Sequence, residues 1–244
     1  MIGLIGGSGL SQLDGLVLEQ QMQRETPFGE PSAPLMIGKF AGKDIAFLPR
    51  HGEHHTIAPH LINYRANIWA MHQLGVDQIV GVASVGGITE AYKPGTIALP
   101  DQLIDYSWGR ESSFASEDFS TDKHIDFTYP FDETLRQQIE LAANSEEMNV
   151  IDGGTYAVTQ GPRLETAAEI RRLKNDGADM VGMTAMPEAV LARELNIAYA
   201  SIAVVANHAA GLSSHPLTIE AILETMESSM SEVHRLLKAV IPLL

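Results

Sequence analysis

The sequence contains no cysteine, which excludes a disulfide framework and any metal site built on thiolates. It also lacks a basic segment followed by an apolar one near residue 1, and no apolar run approaches the roughly eighteen residues that a membrane-spanning helix needs. We therefore expect a cytoplasmic protein without a membrane partner.

Positive charge is scarce in this chain. Its 16 lysines and arginines stand against 31 aspartates and glutamates, which gives a formal net charge of −15. Such a charge disfavours nucleic acid and anionic membranes as partners, because both are themselves negative. An anionic small substrate would need a local cluster of hydrogen-bond donors that acts against the overall field.

The stretch 153–207 has the pattern of a parallel α/β fold. Parallel sheets of this class bind ligands beyond the carboxyl ends of their strands, so polar residues at those ends predict a pocket. With 244 residues, we expect a single α/β domain over residues 1–244, with a mixed, largely parallel central sheet flanked by helices. In this stretch the predicted strands are 155–159, 179–183 and 200–206, and the predicted helices are 165–175 and 187–194.

Groups that can bind an anion follow four of the predicted strands. Ser8 lies in a glycine-rich turn after the first strand, and Arg50 and His51 follow another apolar strand. Ser84 begins a second predicted glycine turn, and Thr184 follows a strand of the central stretch. A guanidinium fork and the free amides of glycine turns both suit phosphate. Together they predict a phosphate site without a Walker loop.

A metal site is the alternative that the histidines after residue 50 suggest. His54 and His55 are adjacent, so their side chains would point in different directions, and structural zinc usually takes spaced histidines with cysteine or carboxylate. An anion site at Arg50 and His51 is therefore the preferred interpretation, and we expect no metal.

Taken with their order, these residues resemble the trimeric purine nucleoside phosphorylases, most closely the methylthioadenosine phosphorylase branch. The resembling motifs are long and cover nearly the whole chain. They are GGSGL (6–10), LPRHGEHHTIAPHLINYRANIWA (48–70), GGITEAYKPGTIALPDQLIDYS (86–107), TQGPRLET (159–166) and GADMVGMTAMPEAVLARELNIAYASIAVVAN (177–207).

The resemblance implies phosphorolysis, in which inorganic phosphate attacks C1′ of a purine nucleoside and releases the base. Phosphate is then a co-substrate, and no cofactor is expected. The catalytic residues would position the phosphate and stabilise charge on the departing purine. By resemblance these catalytic residues are Arg50, His51 and Asn207. The resemblance also implies that Met183 contacts the ribose. The residues that would hold phosphate are Ser8, Arg50, His51, the backbone of Ala83 and Ser84, and Thr184.

The residues expected at the base favour a 6-oxopurine. The adenine-specific branch has aspartates where this chain has Asn207 and Ala209, on either side of His208. An asparagine amide can donate to O6 and accept from N7–H. Glu165 matches the glutamate by which 6-oxopurine phosphorylases accept from N1–H, and opposite adenine N1 it would face another acceptor at a cost of roughly 1–3 kcal/mol. The alternative for Glu165 is an acid that interacts with a helix dipole.

The residues expected at the sugar favour a 5′-methylthio group. Where inosine and guanosine phosphorylases place a histidine for the 5′-hydroxyl, this chain has Ile219, followed one turn later by Ile222 and Leu223. Aliphatic side chains would bury a methylthio group, although the same spacing suits the core face of a helix and His215 lies nearby. The combined prediction is phosphorolysis of S-methyl-5′-thioinosine to hypoxanthine and 5-methylthioribose 1-phosphate, in purine and methylthioadenosine salvage.

Three other functions stay open at this point. Two are phosphorylases, one for methylthioadenosine and one for 6-oxopurine nucleosides in general. The third is a catalytically inactive nucleoside-binding module, which would have no need of a phosphate site.

The resemblance also implies a homotrimer or a dimer of trimers, in which a neighbouring subunit completes each pocket. The polar segment 107–126, predicted as a long loop, and His124 within it are the residues we expect to make that contribution.

Overall fold

Eleven strands form one sheet in the part of the chain that the computed structural model describes, namely residues 1–7, 10, 12–115, 120–213 and 219–244, without the side chains of residues 122 and 219–221. The strands are β1 (Ile2–Gly6), β2 (Val17–Met22), β3 (Leu35–Phe40), β4 (Lys43–Pro49), β5 (Gln78–Gly87), β6 (Ile97–Leu99), β7 (Gln102–Asp105), β8 (Val150–Asp152), β9 (Thr155–Val158), β10 (Met180–Gly182) and β11 (Ala198–His208). The α-helices are α1 (Tyr64–Gln73), α2 (Glu133–Ser145), α3 (Ala167–Asn175), α4 (Ala185–Glu194) and α5 (Ile219–Val240).

Most of the strand pairings are parallel. β1 lies between β4 and β5, and β5 pairs with β11 on its other edge, all in parallel register. Antiparallel pairs join β2, β3 and β4 at one end of the sheet, and two more join β10 to β5 and β6 to β11. The predicted α/β class, with a mixed and largely parallel sheet, is confirmed.

Helices cover both faces of the central strands. On β5, Ile79 and Val85 belong to a core shared with α1 and α4, while Val80 and Val82 belong to a core shared with α2 and α5. Successive side chains of a strand point to opposite faces, so a strand buried on both faces reads as one continuous apolar run. None of the helices in the described ranges is long and apolar enough to cross a membrane.

Helix α3 begins two residues later than predicted. Thr166 is its N-cap, and its hydroxyl accepts from the Glu169 amide at 3.1 Å while the Glu169 carboxylate accepts from the Thr166 amide at 2.7 Å. This reciprocal capping box sets the first turn of the helix. Glu165 is therefore outside the helix, and the predicted start at residue 165 is wrong.

Two strands run further than predicted. β5 continues through Gly86 and Gly87, which the sequence predicts as part of a turn, and β11 continues through Asn207 and His208, beyond the predicted strand end at residue 206. The two extensions pair with each other, Gly86 with Asn207 and Gly87 with His208. A side chain at Gly87 would collide with the carbonyl oxygen of Tyr92. Glycine serves here for close approach within a strand.

Core packing at β11 gives a test of the fold. Ile202 is fully buried, and we expect Ile202→Ala to lower the free energy of unfolding by about 2–5 kcal/mol, because the substitution leaves a cavity between sheet and helices. Leu141 on α2 is 63% exposed, and Leu141→Ala should change the same quantity by less than about 0.5 kcal/mol. Urea unfolding at one protein concentration measures both, and equal losses would contradict the assigned burial.

Candidate active site

The candidate site lies at a break along one edge of β5. β1 pairs with this edge as far as Gly81, and β10 begins to pair with it at Gly86. Between these points residues 82–85 have no strand partner on that edge among the described pairings, although β11 stays paired on the other. Backbone groups that a sheet leaves unpaired are available to a ligand. Ala83 and Ser84 lie in this break, and the turn predicted at Ser84 is wrong because β5 continues past it.

Gly7 brings the end of β1 against the same break. The Arg50 amide donates to the Gly6 carbonyl at 2.8 Å, which joins the ends of β1 and β4. A methyl group built on Gly7 would lie 2.6 Å from the Val82 oxygen and 2.8 Å from Arg50 Nη1. The glycine thus lets this loop approach the guanidinium closely. Ser8, the next residue, lies outside the described part of the chain.

Arg50 is buried in the break, and some of the N–H groups of its guanidinium are already hydrogen-bonded within the protein. Nε and Nη2 donate to the two carboxylate oxygens of Glu188, the second at 2.8 Å, and Nη1 donates to the Val82 carbonyl at 2.9 Å. A guanidinium has five N–H groups, and three are used by these contacts. Among the residues that the structure describes, one N–H on Nη1 and one on Nη2 have no partner, which is enough to bind two oxygens of one phosphate.

Glu188 on α4 is a residue of the candidate site that the sequence prediction missed. Burial opposes the charge of Arg50, but the charge and hydrogen bonds of Glu188 outweigh it, so the pKa of Arg50 lies above its ordinary value. Tyr199 on β11 donates to the same carboxylate at 2.8 Å. The available signal was an acid within the apolar start of a helix, since a buried carboxylate requires a partner.

His51 is buried next to Arg50 and is neutral at pH 7. Its Nδ1 lies 2.8 Å from the Ile57 carbonyl, which can only accept, so Nδ1 carries the proton and Nε2 is the acceptor. Burial, and after it the charge of Arg50, lowers the pKa of His51 to about 4. The His55 ring lies 4.4 Å from the His51 ring. Within the described ranges, no group of three or more His, Cys, Asp or Glu side chains is arranged to bind a metal.

Thr184 approaches the break from β10. This strand runs antiparallel to β5, and its last pairing, Val181 with Gly86, directs the following residues back along the break. Thr184 is buried and is the N-cap of α4, but its hydroxyl makes no capping hydrogen bond, so it is not committed to the helix. Met183, which lies between the end of β10 and Thr184, packs closely against Gly161.

Glu165 lies on the wall of a cavity of about 300 Å³. The Thr159 hydroxyl donates to Glu165 Oε1 at 2.5 Å, and the Thr159 amide donates to the Gly182 carbonyl at 2.8 Å. Glu165 is thus held beyond the ends of β9 and β10, near the chain that leads to Thr184. The alternative for Glu165, an acid that interacts with the dipole of α3, loses support, because Glu169 is the carboxylate that caps this helix. The cavity lining includes neither Arg50 nor Asn207.

Asn207 lies at an irregularity in β11. The pairing register with β5 shifts between Val205 and Asn207, and such bulges re-aim side chains and occur beside active sites. Asn207 Nδ2 donates one of its two hydrogens to the His208 carbonyl at 2.7 Å. His208 is exposed, whereas Ala209 is buried and its amide donates to the Gly87 carbonyl at 2.8 Å.

Arg110 connects the Glu165 cavity to the β5 break and is the second residue that the sequence prediction missed. Its guanidinium donates to the carbonyls of Met183 and Met186 at 2.7 Å each, and to those of Gln160 and Thr159 at 2.8 and 3.1 Å. Two further bonds, to the Gln160 side chain at 3.2 Å and to the Tyr64 hydroxyl at 3.4 Å, make six, so all five N–H groups are engaged. No sequence signal identifies it, since backbone carbonyls are partners that every residue offers.

The residues expected near a 5′ group and at a neighbouring subunit are placed as follows. α5 begins at Ile219, whose side chain lies outside the description. Ile222 is partly buried against the core shared by α2 and α5, whereas Leu223 is 56% exposed. His124 is exposed and follows a short 3₁₀ helix, Thr121–Lys123, in the predicted 107–126 loop, of which residues 116–119 lie outside the described part of the chain.

Comparisons with known proteins agree on one family. The family model described as the phosphorylase superfamily matches residues 1–242. A probable S-methyl-5′-thioinosine phosphorylase of Pseudomonas syringae pv. tomato is 47% identical over 238 residues, which cover 98% of this chain and 97% of the relative. A 6-oxopurine nucleoside phosphorylase of Pyrococcus furiosus is 40% identical over 248 residues, with 100% and 92% covered. The structure of methylthioadenosine phosphorylase from Schistosoma mansoni in complex with adenine is similar with a TM-score of 0.94 and 33% identity, covering 99% of this chain and 91% of that one.

Arg110 gives a prediction about local stability. We expect Arg110→Met to raise amide hydrogen exchange in segments 107–115 and 159–165 by about tenfold or more, because a lost charged hydrogen bond costs about 1.5–3 kcal/mol. Glu111→Gln is the matched control, since Glu111 is mostly exposed and pairs with Arg65 at 3.2 Å. Exchange that rises equally in both variants, or in neither, would show that Arg110 does not hold these segments together.

Proposed function

Because the chain belongs to the phosphorylase superfamily, we propose that it catalyses the phosphorolysis of S-methyl-5′-thioinosine to hypoxanthine and 5-methylthioribose 1-phosphate. The relatives with that printed name support the substrate, as in the 47% identical Pseudomonas syringae protein. The observation that carries the choice of base is the carboxylate of Glu165, which Thr159 holds outside helix α3 at the wall of a cavity.

Phosphate binds, in this proposal, in the break of β5. Arg50 contributes its two remaining N–H groups, the amides near Ala83 and Ser84 lie on the unpaired edge, and Thr184 contributes its hydroxyl. Ser8 completes the set from the loop after Gly7. His51 is neutral with Nε2 as acceptor, so it receives a hydrogen bond from the protonated oxygen of a phosphate.

The reaction needs an anion placed beneath C1′ and a stabilised leaving group. A phosphate oxygen forms a bond to C1′, the bond from C1′ to N9 of the purine breaks, and its electron pair goes to the base. The base takes up a proton at N7 from solvent, which balances the proton that hydrogen phosphate loses as it becomes the sugar phosphate. No covalent nucleophile on the protein is needed, so catalysis consists mainly of positioning and electrostatic stabilisation. The co-substrate is inorganic phosphate, and the chemistry requires no metal or other cofactor.

The base is recognised by groups that suit hypoxanthine. Glu165 accepts from N1–H, while Asn207 donates from its second amide hydrogen to O6 and accepts at Oδ1 from N7–H. Adenine presents an acceptor at N1, so the same carboxylate would oppose it. His208 and Ala209 lie beside Asn207 and are the neighbours through which this preference is adjusted.

The sugar is held on the side of Met183 and the start of α5. Met183 contacts the ribose, and Ile219, Ile222 and Leu223 surround the 5′-methylthio group. Leu223 is exposed in the single chain, so this part of the pocket is completed when a nucleoside or a neighbouring subunit covers it. We propose a cytoplasmic homotrimer in which the 107–126 loop and its His124, beyond the part that Arg110 holds to its own chain, provide that cover for a neighbouring subunit.

The first prediction concerns the substrate. Phosphate-dependent base release should be fastest, in kcat/KM, with methylthioinosine when it is compared with methylthioadenosine, inosine and adenosine. A spectrophotometric assay with each nucleoside, with and without phosphate, measures this order. Methylthioadenosine as the best substrate would refute the assignment of the base, and inosine would refute the assignment of the 5′ group.

The second prediction concerns Glu165. Glu165→Gln should lower kcat/KM for methylthioinosine by about tenfold to a hundredfold, because a hydrogen bond to a charged acceptor contributes about 1.5–3 kcal/mol. The loss of kcat/KM with methylthioadenosine should be smaller, so the ratio of kcat/KM for methylthioadenosine to that for methylthioinosine should rise.

Glu169→Gln is the matched control for this experiment, because Glu169 is a glutamate on the same cavity wall that caps α3. It should reduce stability without changing the ratio between the two nucleosides. An unchanged ratio in Glu165→Gln as well would remove Glu165 from base recognition.

A further inference from the structure

The cation expected to bind phosphate is neutralised within the protein. Arg50 is 1% exposed and Glu188 is 0% exposed, and the contact between them engages both carboxylate oxygens. Opposite charges interact strongly where water is excluded. The pair therefore offers a bound anion two N–H groups but no net charge.

The groups around the pair do not offer phosphate a second charged donor. His51 is neutral, with a pKa of about 4. Arg110 keeps its positive charge, but its N–H groups are taken by backbone carbonyls, the Gln160 side chain and the Tyr64 hydroxyl. Three tyrosines near the pair stay protonated, since burial raises the pKa of each. They are Tyr64, Tyr156 and Tyr199.

We propose that Glu188 is a positioning residue that fixes Arg50 and cancels its charge, so that phosphate is bound by hydrogen bonds while its own negative charge stays available for attack at C1′. This inference rests on the proposed phosphorolysis. Interactions accelerate a reaction only when they are stronger in the transition state than in the ground state. An uncompensated Arg50 would bind phosphate tightly and hold back the oxygen that must attack. With Glu188 in place, the phosphate charge is free to stabilise the positive charge that develops on the sugar.

Glu188→Gln separates this role from a merely structural one. The substitution keeps the shape of the side chain and removes its charge, so Arg50 becomes an uncompensated cation. We expect KM for phosphate to fall about fivefold or more and kcat with methylthioinosine to fall about tenfold or more. Calorimetry with inorganic phosphate alone should show the same gain in affinity. A structural role predicts the opposite sign for binding, since a misplaced Arg50 raises KM for phosphate.

Tyr199→Phe is the matched control. It removes a neutral hydrogen bond from the same carboxylate without changing the charge of the site. We expect KM for phosphate not to fall in this variant. A fall equal to that in Glu188→Gln would overturn the proposal, because charge would then not be the cause.

Glu188→Asp covers the case in which Glu188→Gln does not fold. The shorter side chain keeps its charge but lies further from the guanidinium. We therefore expect KM for phosphate and kcat both to fall, as in Glu188→Gln, but only by about twofold to threefold. A higher KM for phosphate in this variant would overturn the inference. Loss of the proposed function is a separate outcome, in which the unaltered protein releases no base from any of the four nucleosides.

Discussion

The buried ion pair between Arg50 and Glu188 is the interaction on which the arrangement of the site depends. Its members are separated by 138 residues, and neither is exposed to solvent. Removing two charges from water is costly, and the cost is offset only when both charges are well paired. Arg50 follows β4 and Glu188 lies in the first turn of α4, so the pair ties the end of one strand to the helix that follows β10. A further hydrogen bond from Tyr199 brings β11 into the same network.

The anion site is also a property of the sheet itself. β5 is paired with β11 along its length, but its other edge changes partner from the parallel β1 to the antiparallel β10. The two partners approach from opposite directions and do not meet, which leaves residues 82–85 with an open edge. The Val82 carbonyl there accepts from Arg50, and the backbone amides that the sheet leaves unpaired are the donors from which the proposed phosphate would accept. Glycine at position 7 then lets the backbone just after β1 approach this edge closely.

The base side of the site is organised by backbone carbonyls. Arg110 donates to the carbonyls of four residues, which are Thr159, Gln160, Met183 and Met186. These bonds fix the chain that follows β9 relative to the chain that follows β10. Thr159 in turn holds Glu165 and is bonded to the end of β10. The residue proposed to recognise the base and the residues proposed to bind phosphate are thereby connected through a side chain from the segment after β7.

Local pattern in the sequence determined the class of fold, most of the strands and helices, and the residue types of an anion site. Apolar runs, glycine turns and the position of Arg50 are visible without a structure, because they reflect burial and backbone conformation within a few residues. The start of α3 after Glu165 is also a local feature, because the capping box joins Thr166 and Glu169. The tertiary structure alone decided that Gly86 and Gly87 continue a strand, and that Glu188 and Arg110 lie at the candidate site. These depend on partners far away in the chain, Asn207 for Gly86 and Arg50 for Glu188. A pattern of neighbours in sequence carries no information about such pairs, because hydrogen bonds and charges are satisfied in space.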